Sequence, residues 1–261
     1  MIVAISYGNR PYRRALKLNI RTAMKVAGVD RAIGFCENDI DEVFKTQNEN
    51  ILQQAKGNGY WLWKPYFCKK VLTSLKDGDF LVYGDAGNIY YSKDISKFIA
   101  FMKKESVNML LREQSFVEKV YTKRDTFIYM KCDTPQYAES HQIWAGAFII
   151  RKSEQTMQFV NEWLNYATDA RILTDIPNTC GKDNYDGFLT HRHDQSIFSL
   201  LCKKYGCYAT VEEMGIMGLN SQNDFVKYHH TKLGSERAIR IVSTLGKNPY
   251  FTKLFYLLNW I

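Results

Sequence analysis

Short apolar runs alternate with amphipathic stretches along the first 90 residues of the chain. The apolar runs at 1–6, 31–36 and 80–85 each lead into a polar or glycine-containing turn, as buried strands do. Helical patterns lie between them, and Pro11 suits the first turn of a helix that ends at Gly28. This β-α-β-α-β order predicts a parallel, doubly wound sheet flanked by helices.

The pattern of the middle region mixes both element types. It predicts helices to about Gln54, from Trp61 to about Leu75, over about 93–104, from Ser153 to about Thr168 and from His191 to about Tyr205, with strands at 108–112 and 142–150. Residues 174–190 form a long polar stretch, and a loop of that length is usually functional or disordered.

Composition narrows the set of partners and compartments. The formal net charge of +8 favours anionic partners, namely nucleotide phosphates, an anionic membrane surface or nucleic acid. The six cysteines include no C-x-x-C pair, which favours reduced thiols in a cytosolic protein. No signal-peptide pattern or membrane-spanning apolar run is visible, so we expect a cytoplasmic protein.

The acidic residue that ends the third apolar run is the most informative candidate. Asp85 follows Tyr83-Gly84 and precedes Ala86-Gly87, so it emerges at the carboxyl edge of the predicted sheet. Ligands of open α/β sheets bind at that edge. An aspartate between small residues can hold a divalent metal or a ribose, which favours a nucleotide-using enzyme.

An aromatic segment with one lysine lies shortly before this strand. In residues 57–66, Trp61 or Trp63 could stack on a base or sugar, and Lys64 could contact a phosphate. The alternative is a helix start with one tryptophan in the core. We expect at least one of these residues to line the ligand pocket.

Two further segments combine polar residues with glycine or histidine. Asp194 is either a helix cap or a carboxylate on the pocket wall, and His191 and Arg192 could meet a phosphate or a sugar carboxylate. Gly146 marks either close ligand approach or tight sheet packing. His229 or His230 could complete an octahedral Mn²⁺ or Mg²⁺ site begun by Asp85.

Taken in order, three motifs resemble the GT-A-type glycosyltransferases, and in particular small transferases of polysaccharide loci for capsule or lipopolysaccharide. The resemblance covers roughly residues 1–232, and its motifs are Gly-Tyr-Trp-Leu-Trp-Lys-Pro-Tyr (59–66), Asp-Ala-Gly (85–87) and His-Arg-x-Asp-Gln-Ser (191–196). It implies a single GT-A-like α/β domain with a mixed sheet. Residues 1–90 would form the Rossmann-like half that binds the nucleotide-sugar, 91–232 the acceptor and catalytic half, and 233–261 a tail.

The resemblance also implies a reaction: transfer of a hexose or pentose from a nucleotide-diphospho-sugar, with UDP favoured, to a glycan or lipid-linked glycan. Asp85 would take the place of the first Asp of an Asp-x-Asp motif, but Gly87 stands where the second is usual. Asp85 plus a histidine could then suffice for the metal, or Lys and Arg could replace the metal's charge at the diphosphate. Asp194 is the candidate base. The implied donor-binding residues are Ser6, Tyr7, Gly8, Trp63, Lys64, Asp85, Gly87, Gly146, His191, Arg192 and Gln195.

The tail and two rival functions complete these expectations. Residues 225–261 carry six Lys or Arg and one Glu and end in an apolar, aromatic stretch. That stretch could dock on an anionic membrane that carries a lipid-linked acceptor, pack against the domain, or contact a dimer partner. A nucleotidyltransferase is the rival enzyme, although no Gly-x-x-x-x-Gly-Lys-Ser loop is present. A basic nucleic-acid binder is the rival non-enzyme, and no recognised nucleic-acid motif supports it.

Overall fold

The computed structural model of the protein describes residues 1–206, 208–211 and 216–218, the last three by their backbone alone. The strands are β1 (Ile2–Tyr7), β2 (Arg31–Phe35), β3 (Phe80–Gly84), β4 (Asn88–Tyr90), β5 (Met109–Leu111), β6 (Glu113–Val117), β7 (His141–Ile143), β8 (Ala147–Arg151), β9 (Tyr208–Thr210) and β10 (Ile216–Gly218).

Helices of very different length connect these strands. They are α1 (Arg13–Thr22), α2 (Glu42–Gln47), α3 (Glu49–Leu52), α4 (Gly57–Tyr60), α5 (Trp63–Ser74), α6 (Ile95–Lys104), α7 (Glu118–Tyr121), α8 (Arg124–Tyr129), α9 (Pro135–Ala138), α10 (Glu154–Ala167), α11 (Ala170–Leu173) and α12 (His193–Tyr205). In the part of the chain that the structure covers, no helix is long and apolar enough to cross a membrane.

Among the described residues, six strands form the central sheet in the order β2-β1-β3-β8-β5-β9. β1 is parallel to β2 and β3, as the amino-terminal pattern predicts, and β5 is parallel to β9. β8 runs antiparallel to both of its neighbours, β3 and β5. The prediction of a mixed α/β sheet flanked by helices is therefore confirmed.

Each face of this sheet carries its own apolar cluster. Along β3, Leu81 and Tyr83 pack with Phe67 of α5 and Phe198 of α12. The other face of the sheet packs against α6 and the end of the first helical segment, through Phe80, Val82, Ala23, Ala27, Ile95, Ile99 and Met102. Because both faces are covered, β3 is an uninterrupted apolar run rather than an alternating one.

Several predicted elements differ in detail from the structure. The helix predicted from Pro11 is a 3₁₀ turn, α1 and a π-helical turn, and it ends as predicted at Gly28, whose φ of 72° suits glycine. The strand predicted at 142–150 is split into β7 and β8 by a break at 144–146. β7 leaves the main sheet and pairs with β6, while β8 enters it.

Candidate functional site

The turn that follows β3 is fastened to the break between β7 and β8. The Asp85 amide donates to the Gly146 carbonyl at 2.9 Å, and the Asn88 side-chain amide donates to the same carbonyl at 2.7 Å. From α1, the buried Asn19 amide donates to the carbonyls of Asp85 and Asn88 at 3.1 and 3.0 Å. These bonds fix the backbone from which the Asp85 carboxylate projects.

Lys64 joins two carboxylates from distant parts of the chain at this edge. Its Nζ lies 2.6 Å from Asp194 Oδ2 and 3.5 Å from Asp85 Oδ1. It also donates to the Ala145 carbonyl at 3.2 Å. From β3, the Tyr83 hydroxyl donates to Asp85 Oδ1 at 2.6 Å. We call Lys64, Asp85 and Asp194 the ionic cluster.

The three groups of the ionic cluster differ in their access to solvent. The side chains of Lys64 and Asp194 are 4% and 6% exposed, while that of Asp85 is 41% exposed. Burial raises the pKa of Asp194 to about 6, and the Lys64 charge limits the rise. Burial lowers the pKa of Lys64, but Asp194 and Asp85 outweigh it, so its pKa is raised and the ammonium stays charged at neutral pH.

Gln195 ties the ionic cluster to the strands beneath it. Its side-chain Nε2 donates to Gln114 Oε1 and Gln142 Oε1, each at 2.9 Å. Its Oε1 accepts from the Ala145 amide at 3.4 Å. Ala145 thus receives Lys64 on its carbonyl and contacts Gln195 through its amide. Gln195 therefore holds the β7–β8 break against α12, and its binding of a donor stays a prediction.

The residues predicted to lie near the nucleotide are packed in the interior at the end of β1. Ser6 is buried, and its hydroxyl has no hydrogen-bond partner among the described residues. The Tyr7 ring stacks on Trp63 with centroids 3.9 Å apart, and Asn58 donates to the Tyr7 hydroxyl. At Gly8, a Cβ would lie 3.0 Å from Leu16 Cβ.

Trp63 and Lys64 differ from their predicted roles. Trp63 is 5% exposed and packs on Tyr7, so the structure places this tryptophan in the core. Its indole donates to the Gly57 carbonyl at 3.0 Å. The Lys64 ammonium is engaged by two carboxylates and a carbonyl rather than left open for a phosphate.

His191 is a structural residue in this conformation. Its Nε2 lies 2.9 Å from the Ile172 carbonyl, and its Nδ1 accepts from the Lys123 amide at 3.3 Å. Burial lowers the pKa of His191 well below its usual value, so the imidazole is neutral. Because both ring nitrogens are engaged, the predicted contact with a phosphate is not available here.

Arg192 keeps its charge in an aromatic setting. Its guanidinium lies 4.0 Å from the centre of the Phe116 ring and 4.3 Å from that of Tyr121. No carboxylate among the described residues forms an ion pair with it. Half-burial lowers the pKa of Arg192, but the guanidinium remains charged at neutral pH. Its predicted contact with the donor stays a prediction.

The two candidate glycines have different surroundings. A Cβ at Gly146 would lie 2.4 Å from Trp144 Nε1, so the glycine makes room for the indole. This is the tight-packing alternative, and a sugar could approach Gly146 only if Trp144 moved. Gly87 lies inside the turn between Asp85 and Asn88 and supplies no carboxylate.

The described residues offer a poor set of ligands for a divalent cation. No group of three or more His, Cys, Asp or Glu is arranged for a metal within 1–206 and 208–211. Asp85 Oδ1 already accepts from Tyr83 and faces the Lys64 ammonium. His229 and His230 lie outside the described residues, so their contribution to a Mn²⁺ or Mg²⁺ site stays a prediction.

Sequence reasoning missed the residues that hold the site from behind. Tyr83 lies two residues before Asp85 and therefore on the same face of the strand, a signal that was available. Asn19 is a buried amide on the face of α1 that also buries Ala15, Leu18 and Thr22, so the helical period of the sequence could have indicated it. The carbonyls of Ala145 and Gly146 carry no side-chain signal at all.

Comparison with solved structures finds similar folds at low sequence identity. The apo form of mouse xyloside xylosyltransferase 1 aligns over 81% of this chain and 85% of its own, with a TM-score of 0.44 and 11% identity. GlyE of Streptococcus pneumoniae TIGR4 aligns over 80% of this chain and 45% of its own, with a TM-score of 0.41 and 12% identity. The 4-diphosphocytidyl-2C-methyl-D-erythritol synthase of Anaerococcus prevotii aligns over 94% of this chain and 97% of its own, with a TM-score of 0.41 and 13% identity.

These matches do not place the chain in a family. No protein-family profile and no curated protein matches the sequence. The chain spans less than half of the length of GlyE, one of the solved structures it matches. Similarity of this degree assigns no activity, so a function must be argued from the ionic cluster and the motifs that build it.

Proposed function

We propose that this protein is a glycosyltransferase that moves a sugar from a nucleotide-diphospho-sugar to a glycan or lipid-linked glycan acceptor. One observation carries the proposal. Lys64, Asp85 and Asp194 belong to the three separate motifs that resemble polysaccharide-locus transferases, and they meet in one ionic cluster at the carboxyl edge of β3. If the three motifs were unrelated, we would not expect the fold to bring their charged residues into contact.

Asp85 is the group of the cluster that best suits contact with the donor sugar. Its side chain is 41% exposed, while its partners are nearly buried. The Tyr83 hydroxyl and the Lys64 ammonium both face Oδ1, which leaves Oδ2 for a substrate hydroxyl. A carboxylate held in this way can accept a hydrogen bond from the sugar and stabilise an oxocarbenium-like transition state.

Asp194 is proposed as the base that receives the proton of the acceptor hydroxyl. With a pKa of about 6 it is mostly ionised at neutral pH, and its basicity exceeds that of an ordinary aspartate. Its low exposure requires the acceptor to reach it past Asp85. A retaining enzyme would need no such base, so loss of Asp194 reports on the stereochemical course.

The departing nucleoside diphosphate needs positive charge nearby. We propose that Arg192 supplies part of it, because its guanidinium has no carboxylate partner among the described residues and lies two positions before Asp194. UDP is the favoured nucleotide. Synthesis of a capsule or lipopolysaccharide is the proposed setting, with hexose or pentose as the transferred sugar.

The test is a ligand screen followed by a product assay. Thermal midpoints are measured with UDP-, GDP-, CMP- and dTDP-sugars, each with Mn²⁺ and with EDTA, because a ligand that binds only the folded protein raises the midpoint. A shift with one nucleotide class that is lost in Asp85→Ala, together with release of nucleoside diphosphate, supports the proposal. Release of pyrophosphate would instead indicate a nucleotidyltransferase. Salt-dependent binding of random oligonucleotides without any nucleotide-sugar shift would indicate a nucleic-acid binder.

A further inference from the structure

Lys64 occupies a position that is unfavourable for a cation unless carboxylates compensate. It is the second residue of α5, where the positive end of the helix dipole disfavours a lysine. It is also 3% exposed, and burying an ammonium is costly unless it is paired and hydrogen-bonded. Asp194, Asp85 and the Ala145 carbonyl supply that pairing.

The ammonium is placed where it opposes a metal at the same carboxylates. A divalent cation on Asp85 Oδ1 would lie within a few ångströms of Nζ, and two positive centres that close repel each other strongly in a half-buried site. The nearer carboxylate, Asp194, is already neutralised at 2.6 Å. The charge that a metal would bring to this pair is thus already present as a side chain.

We propose that Lys64 is a built-in counter-cation that holds Asp85 and Asp194 together and takes the place of a divalent metal at these carboxylates. In the proposed transferase it is therefore a positioning residue rather than a phosphate ligand. Only this positioning role rests on the proposed function. The counter-cation role does not, because metal binding and unfolding are measured without donor or acceptor.

The test compares Mn²⁺ binding by the wild type and by Lys64→Met. In the wild type, we expect millimolar Mn²⁺ to cause no shift of the thermal midpoint that depends on Asp85. In Lys64→Met the two carboxylates lose their counter-ion, so Mn²⁺ should raise the midpoint by roughly 3–8 °C. EDTA or an added Asp85→Asn substitution should abolish that rise.

Lys123→Met is the matched control, because Lys123 is another lysine 4% exposed and lies 3.8 Å from a single buried carboxylate, Asp125. It should destabilise the protein without creating a response to Mn²⁺. Lys64→Arg keeps the charge and should also show none. The depletion of free Mn²⁺, followed by its paramagnetic resonance signal, gives a second readout.

Two results would overturn the inference. The first is Mn²⁺ binding by the wild type that is lost in Asp85→Asn, because the metal would then share the site with Lys64. The second is a folded Lys64→Met, or Lys64→Gln where the methionine variant does not fold, that gains no response to Mn²⁺. If neither variant folds, the wild-type measurement decides. A failed nucleotide-sugar screen leaves both results unaffected, so the two proposals fail separately.

Discussion

Asp85 and Asp194 are both carboxylates, but their different environments suit them to different roles. Asp85 accepts a hydrogen bond from Tyr83 and keeps two fifths of its side chain in solvent. Asp194 is buried against Lys64, and its pKa rises to about 6. A substrate can touch the first directly, whereas the raised pKa of the buried second suits its proposed role as the base.

Replacing Asp85 should therefore separate activity from stability. We expect Asp85→Asn to lower the rate of sugar transfer by about 10²–10⁴-fold, because the charge that faces the sugar is lost. The thermal midpoint should stay within about 3 °C of the wild type, since asparagine can still accept the Tyr83 hydrogen bond and Asp194 still pairs with Lys64. Steady-state kinetics and thermal unfolding check this, with the exposed Asp186→Asn as the control. A large loss of midpoint would show that Asp85 is structural.

A second residue-scale prediction concerns acid stability and His193. This histidine packs on Trp61, and its Nδ1 lies 3.0 Å from the Leu173 carbonyl. Burial lowers its pKa from 6.5 to about 4. Between those values the unfolded chain binds the proton and the folded one does not, so stability falls as the pH drops from 6.5 towards 4.

His193→Asn should flatten that acid loss by about 2 kcal/mol at pH 5. Asparagine tolerates the positive φ of 49° at this position. Urea unfolding at pH 7 and pH 5 gives the difference for each protein. Asp194, whose raised pKa acts in the opposite direction between about 4 and 6, is present in both proteins and cancels. The exposed His141→Asn is the control, and an unchanged pH difference in His193→Asn would contradict the prediction.

At the residue scale, chemistry was readable where a charge stands out from apolar neighbours. Asp85 and Lys64 stand out in this way, and Asp194 does so with its capping alternative still open, while their roles toward a substrate stay predictions. Sequence does not show which of two nearby tryptophans meets the core, and the structure places Trp63 there. The partners of His191 are backbone groups of distant segments, which its sequence neighbours do not indicate.

At the element scale, the polar stretch at 174–190 is anchored rather than loose. The fully buried carboxylate of Asp125, in α8, accepts hydrogen bonds from the Thr179 amide and hydroxyl and from the Cys180 amide. The Lys123 ammonium donates to the Ile176 carbonyl at 2.6 Å. The loop thus has fixed attachment points on α8 and on the residue before it.

Removing the main anchor should release this loop. We expect Asp125→Ala to lower the free energy of unfolding by about 2–4 kcal/mol, because three donors lose a buried acceptor. Trypsin should then cut after Lys182 at least tenfold faster. Mass spectrometry of timed digests checks the cut, and Asp186→Ala is the control because its carboxylate is exposed and does not adjoin the cleaved bond. Unchanged cleavage would show that other contacts order the loop.

Long elements were predictable and short ones were not. α10 is capped at its start by the predicted Ser153, whose hydroxyl accepts from the Thr156 amide at 3.2 Å. The strands β1, β2 and β3 were predicted because each is a compact apolar run between turns. The helices α7, α8 and α9 have four to six residues each, too few for a 3.6-residue period to show.

At the scale of the whole molecule, positive charge is concentrated near the amino terminus. The first acidic residue of the chain is Asp30. Arg10, Arg13, Arg14 and Lys17 are exposed and form no ion pair within the described residues. α1 begins near the carboxyl end of β1, so this basic surface borders the edge of the sheet that carries Asp85.

This charge distribution leads to a prediction about membranes. Vesicles with 30% anionic lipid should sediment the protein at low salt, and binding should weaken several-fold as salt screens the charges. Neutral vesicles should not bind it. Arg13→Glu with Arg14→Glu should weaken binding more than Lys103→Glu with Lys104→Glu, an equal charge change on α6. Deletion of 249–261 tests the tail separately, and equal binding by all these proteins would exclude both surfaces.

The reversed strand β8 has a consequence for how this site can change over generations. Its direction brings the 144–146 break to the carboxyl end of β3, where the Ala145 and Gly146 carbonyls bind Lys64, Asp85 and Asn88. Carbonyls are common to all residues, so a substitution of the buried Ala145 by another small residue would leave these contacts intact. A one-residue insertion or deletion there would displace both carbonyls together. At this break, the site should thus tolerate small-residue substitutions but not a change in the number of residues.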